Sequence, residues 1–202
     1  MKKSKGISFI ISAPSGAGKS SVAKYMIEND PNLWLSISVT TRAKRHKEID
    51  GVDYYFIDKQ SYLDMKERGD LIESAEIYGN FYGTPKSTVL SRLARGVDVI
   101  FDIDWQGSQK LGEIKDFSQV RIFILPPSIL ELQTRLIKRG DELESIALRL
   151  AQARSECSHY HEYDYILVNK DLHETCSQVS SIVQAERLRL SNIDPEEVSL
   201  LI

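Results

Sequence analysis

The 202-residue sequence has no apolar run approaching the length of a membrane span, for which a helix needs about 20 residues. The nearest imitation is at the start, where lysines precede residues 7–11. That run is interrupted by Ser8 and is too short for the apolar segment of a secretory signal. It reads instead as a buried strand of a cytoplasmic protein with no membrane partner. Cysteine is scarce as well: Cys157 and Cys176 match no metal or redox spacing, so two unpaired thiols are expected. No Pro/Ser-rich linker, internal repeat or low-complexity tract divides the chain, which predicts one domain over residues 1–202. An excess of positive charge is also missing. A formal net charge of −3 argues against a general nucleic-acid coat, and no nucleic-acid partner is expected. His159 and His161 flank Tyr160, but no third ligand stands at useful spacing, so they are read as core or surface histidines.

Strand-like and helix-like segments alternate. "ISFIIS" (7–12), "VDVIFDID" (97–104), "VRIFIL" (120–125) and "YILVN" (165–169) have the short, β-branched composition of buried parallel strands. Between them come helical patterns. Val22, Met26 and Ile27 share one face before Pro31, and a helix over 85–95 closes at Gly96. Ser128 with Glu131 forms a capping box that opens a helix toward Arg139, and a long final helix runs over 171–190. This predicts an α/β fold with a parallel sheet flanked by helices. Residues 36–84 break the rhythm with a basic cluster, the strand-like "DYYFID", a short helix near 61–68 and the aromatic, glycine-containing "LIESAEIYGNFYGTP". They predict an inserted mixed α/β subdomain over the carboxyl ends of the main strands.

The stretch "SAPSGAGKSS" (12–21) nearly spells the phosphate loop G-x-x-x-x-G-K-[ST], with Ala13 in place of the first glycine. Such a loop works through backbone N–H groups that curl around phosphate oxygens at a helix N-terminus. Alanine is tolerable at a strand exit if φ stays negative, because only positive φ strongly favours glycine. Ala13, Pro14, Ser15, Gly16, Ala17, Gly18, Lys19, Ser20 and Ser21 are therefore expected to cradle the phosphates of a nucleotide, which the resemblance given below makes ATP, with Lys19 reaching the terminal phosphates and Ser20 offering its hydroxyl to Mg²⁺. Alone, the loop identifies only a phosphate-binding protein. In "SVTTRAKRHKEIDGVDYYF", Arg42 and Arg45 suit either a solvated basic loop or a clamp on a second phosphate. The residues by themselves leave both open.

Taken in order, "SAPSGAGKSS", "SVTTRAKR", "DGVDYYF", "LIESAEIYGNFYGTP", "FDIDWQG" and "FILPPS" resemble the guanylate kinases of bacterial type. The similarity covers nearly the whole chain, the tail after Ser191 being least constrained. It implies a P-loop kinase fold with a core from 1–35, 86–125 and 156–202, a GMP-binding insertion over 36–85 and a helical lid over 126–155. It implies transfer of the terminal phosphoryl group of ATP to GMP, a step of purine nucleotide metabolism, with Mg²⁺ as cofactor. Carried over, the GMP site comprises Ser38, Arg42, Arg45, Tyr54, Glu73, Tyr82, Thr84 and Asp104. Chemistry agrees: guanine presents a ring N–H beside an exocyclic amine, a donor pair that the Glu73 carboxylate accepts. Lys19, Arg42 and Arg45 are the expected catalytic groups, joined from the lid by Arg135, Arg139 and Arg149. The spacing from Arg139 to Arg149 is one residue shorter than the family commonly has. Asp102 is expected to order water on Mg²⁺, and Asn169 to contact the adenine of ATP, although Lys170 replaces an acidic residue common beside it. Two rivals are a catalytically silent, guanylate-kinase-like protein-binding domain and a P-loop kinase for another acceptor. The sequence neither requires nor excludes a homo-oligomer.

Overall fold

The structure is a computed structural model and describes residues 5–193 together with 198 and 199. The part of the tail beyond these lies outside the described residues. Strand β1 (Ser8–Ser12) is buried throughout and runs through the phosphate loop into helix α1 (Lys19–Asn29). Past Pro31 the chain makes a short strand β2 (Leu33–Leu35), which the sequence pattern does not announce, because three residues carry no periodicity.

The insertion follows as β3 (Val39–Thr40), β4 (Tyr55–Phe56), α2 (Lys59–Glu67), β5 (Leu71–Ile77) and β6 (Asn80–Pro85). Only Tyr55 and Phe56 of "DYYFID" are extended in a ladder, and α2 starts earlier than its apolar pattern suggests because Asp58 caps it, accepting from the Ser61 N–H. The core resumes with α3 (Lys86–Ala94), β7 (Asp98–Asp102), α4 (Trp105–Gly112), β8 (Gln119–Leu125), α5 (Ile129–Arg139), α6 (Leu143–Ser158), β9 (Tyr165–Val168) and α7 (Leu172–Arg187). Helix α7 stops at Arg187, and a short 3₁₀ turn, Leu190–Asn192, ends the segment read as one helix. The Ser128 cap forms as expected, accepting from the Glu131 N–H.

The strands β2-β7-β1-β8-β9 form one sheet, parallel throughout. Side chains on β1 alternate between its faces. Phe9 and Ile11 pack with Val22, Met26, Val179 and Val183 beneath α1 and α7, whereas Ile10 packs with Val89, Phe101 and Leu111 beneath α3 and α4. Burying each such side chain contributes about 1.5–3 kcal/mol. A smaller cluster of Ala17, Leu132, Leu136, Ile146 and Ala153 seats α5 and α6 on the phosphate loop. The insertion forms its own sheet, β4-β3-β6-β5, with β5 and β6 as an antiparallel hairpin turned at Tyr78 and Gly79. Neither cysteine is in a disulfide. No helix among the described residues is long and apolar enough to cross a membrane.

Candidate functional site

Strand β1 lies between β7 and β8, and the chain leaves β1 and β7 at the same end of the sheet, where open α/β sheets bind ligands. A cavity of about 820 Å³ opens there, walled by the phosphate loop, the insertion and the α5–α6 helices. Gly16 and Gly18 have φ of 96° and 106°, in the left-handed region that glycine alone adopts freely. Ala13 is not in that region, so the strand exit tolerates a side chain, as the sequence reading requires. The first turn of α1 has no side-chain cap, which leaves its N–H groups free to meet an anion.

Lys19 points into the cavity and pairs with Asp102 at 2.9 Å. Burial alone would lower its pKa; the charge and hydrogen bond of Asp102 reverse this and raise it above the ordinary lysine value. Ser20 and Ser21 stand exposed at the mouth. Ala17 is wholly buried, and its carbonyl accepts from Asn169 Nδ2 at 2.7 Å and from Arg135 Nη1 at 3.4 Å. Asn169 thus sits behind the loop, buried and outside the cavity lining, with Oδ1 accepting from Thr175.

At the opposite end, Ser38, Tyr54, Glu73, Tyr82 and Asp104 line the wall. Thr84 stands just behind them, fully buried, and donates to Glu73 Oε1 at 2.6 Å. Its single proton being so used, Ser38 donates to Thr84 across 3.0 Å. Burial pushes the Glu73 carboxyl up to about 7; the Thr84 hydrogen bond opposes the shift, and the nearby Asp104 charge adds to it. Asp104 also caps α4, accepting from the Gly107 N–H at 3.0 Å.

Arg42 and Arg45 meet on a residue the sequence reading missed. Glu48 accepts from Arg42 at 2.7 and 3.0 Å, from Arg45 Nη1 at 3.4 Å and from the Arg45 N–H at 2.8 Å. Its position three residues after Arg45 was the available signal. Burial lowers the Arg45 pKa, and the Arg42 and Arg139 charges lower it further, the mark of a local cation excess that an incoming phosphate relieves. Arg135, Arg139 and Arg149 also line the cavity. Arg139 pairs with Asp141, Arg149 donates to Ser15 Oγ and lies 3.4 Å from Asp141, and Arg135 donates to the Asn169 carbonyl at 2.9 Å.

Asp141, Tyr78 and Glu156 are further residues without a sequence signal. Tyr78 donates to Glu156 at 2.9 Å, and the Arg149 guanidinium lies 4.9 Å from the centre of its ring, so the hairpin tip meets α6 across the cavity. His159 stacks on Trp105 with ring centres 3.7 Å apart. The donors near Lys19, the Ser20 hydroxyl and the Asp102 carboxylate, are hard oxygens. Together with waters and ATP phosphates they suit Mg²⁺, which takes few ligands from protein. The arrangement brings a phosphate loop, two arginine groups and a buried carboxylate into one cleft, which suits phosphoryl transfer between two nucleotides.

Comparison with known proteins places the chain among its relatives. The family model described as guanylate kinase matches residues 5–186. Relatives named guanylate kinase include that of Rhizobium meliloti, 49% identical over 186 residues, covering 92% of this chain and 85% of its own. That of Hahella chejuensis is 48% identical over 188 residues, covering 93% and 90%. The crystal structure of guanylate kinase from Anaplasma phagocytophilum superposes with a TM-score of 0.83 at 38% identity, covering 98% of this chain and 95% of that one.

Proposed function

The chain belongs to the guanylate kinase family, and from that membership we propose how its cleft carries the reaction, transfer of the terminal phosphoryl group of ATP to GMP giving ADP and GDP. The single observation that carries this reading is the Glu73–Thr84–Ser38 chain, which aims a buried carboxylate into the cavity that also holds Lys19.

Glu73 accepts the ring N–H and exocyclic amine of guanine, and Asp104 accepts from the amine as well. Adenine would set a ring acceptor against Glu73 and leave a buried charge unpaired, a penalty of about 1–3 kcal/mol or more. Arg42, Arg45, Tyr54 and Tyr82 hold the GMP phosphate, with Arg42 and Arg45 exchanging Glu48 for its oxygens. That phosphate is largely dianionic near neutral pH, its second pKa being about 6, so the attacking oxygen needs no general base. Catalysis is positioning and charge neutralisation.

Residues 13–21 cradle the ATP phosphates. Lys19 neutralises charge on the transferring group, and Arg135, Arg139 and Arg149 close on it from residues 126–155. Asn169 serves the ATP side by holding the loop from behind. The Ser20 hydroxyl and water ordered on Asp102 would hold Mg²⁺, which would supply charge stabilisation to the phosphates. We further propose that 1–35, 86–125 and 156–202 act as a frame on which the insertion over 36–85 and the lid move. The silent protein-binding alternative has no support in this cleft, which retains Lys19, Arg42, Arg45 and Glu73.

A coupled assay for ADP formation with ATP, Mg²⁺ and, in parallel, GMP, AMP, UMP and CMP tests the reading. Turnover confined to GMP is expected. Equal turnover with AMP would overturn the guanine assignment, and no turnover by the folded protein would overturn the catalytic one.

A further inference from the structure

We propose that Gly107 sets the guanine specificity of the cleft through the side chain it lacks, by leaving the room in which the Glu73 carboxylate stands. The inference rests on the reading of Glu73 as the acceptor for guanine. Glu73 lies on β5 of the insertion and Gly107 in the first turn of α4. A Cβ on Gly107 would fall 2.7 Å from Glu73 Oε2 and 3.3 Å from its Cδ, with Ile103 Cδ1 at 3.2 Å. Real Cβ atoms do not approach an oxygen so closely. The carboxylate would have to yield, and its other oxygen is tied to Thr84 at 2.6 Å, so yielding breaks or bends that bond and re-aims the group.

Nothing in the backbone demands glycine here. Gly107 is not among the positive-φ residues, and alanine is the better helix former. The Gly107 N–H donates to Asp104 at 3.0 Å, a bond that alanine keeps. One residue therefore serves both carboxylates that face the base, Asp104 by its N–H and Glu73 by the space above it. Substitution by alanine tests the space alone. Gly107 acts as a positioning residue: it leaves room for Glu73, and Glu73 meets the base.

The test is a cycle of Gly107→Ala, Glu73→Ala and the double variant, each read by KM for GMP, KM for ATP and thermal stability. Gly107→Ala is expected to raise the KM for GMP by about tenfold or more, since it misplaces a specificity-determining hydrogen-bond group, while the KM for ATP stays within about twofold. On the Glu73→Ala background the same change should cost nothing further in GMP use and no thermal stability, because the atoms it strikes are gone. A native-like KM for GMP in Gly107→Ala, or an equal loss on both backgrounds, would overturn the inference. If Gly107→Ala alone does not fold, recovery of the fold in the double variant supports the clash, and failure to recover counts against it. The Glu73 reading fails separately, by Glu73→Ala leaving GMP use unchanged.

Discussion

Glu73 carries opposing demands. In the proposed role its carboxylate must be charged to accept two guanine donors, yet it is buried, and burial holds its pKa near 7 against an ordinary value of 4.5. Between these two values the folded protein binds more protons than the unfolded chain, so this group makes stability fall as pH rises, by about 3 kcal/mol in all. The cost is fully present above pH 7 and absent below pH 4.5. Glu73→Gln cannot ionise, so its melting temperature relative to the native protein should rise between pH 5 and pH 8, while GMP turnover is lost and ATP binding kept. A pH-independent difference would show that the native carboxyl titrates normally. For the native protein, GMP affinity should weaken by about tenfold from pH 8 to pH 6 as the carboxylate takes up its proton. Guanosine, which has no phosphate to titrate, should show the same trend.

At the scale of elements, the phosphate loop is held by parts of the chain remote from it. Asn169 at the end of β9 bonds the Ala17 carbonyl, 152 positions away, and a Cβ on Gly18 would meet Asn169 Nδ2 at 2.3 Å. Two glycines therefore have different reasons: Gly79 turns a hairpin in open space, whereas Gly18 needs both its positive φ and the close approach of an amide. Asn169→Ala removes one of the two donors to a buried carbonyl and leaves Arg135 as the other, which costs about 0.5–1.5 kcal/mol. It should raise the KM for ATP several-fold and leave the KM for GMP almost unchanged. Equal effects on both substrates, measured by steady-state kinetics, would mean that the loop is not what Asn169 supports.

The whole molecule sets a cleft between the phosphate loop of the five-stranded core, the insertion and the α5–α6 helices. The insertion contributes its own sheet, and its hairpin tip reaches α6 through Tyr78, Glu156 and Arg149. The cleft collects cations around Arg42, Arg45 and Arg139, where Glu48 pairs with Arg42 and Asp141 with Arg139. ATP and GMP together should draw the insertion and lid inward. Small-angle scattering is expected to give a smaller radius of gyration with both nucleotides than with neither. An unchanged radius would oppose closure.

Local chemistry was legible without coordinates. The strand, phosphate loop and helix of residues 7–29 could be read because their physics runs through consecutive residues: an apolar run, two glycines that curl the backbone, and a lysine at fixed reach. Arg42 and Arg45 stood out for the same reason, since a charge cluster is visible in a short window. The alternation of strand and helix implied a parallel sheet, because parallel strands need crossovers. Only the fold decided the remainder. Thr84 reaches Glu73 from the next strand, Glu48 ties the two arginines, Gly107 on a core helix yields space to a carboxylate from the insertion's sheet, and Asn169 braces a loop at the other end of the chain. Those contacts depend on which elements pack together, and packing is set by the burial of both sheet faces at once, a property that no single stretch of sequence contains.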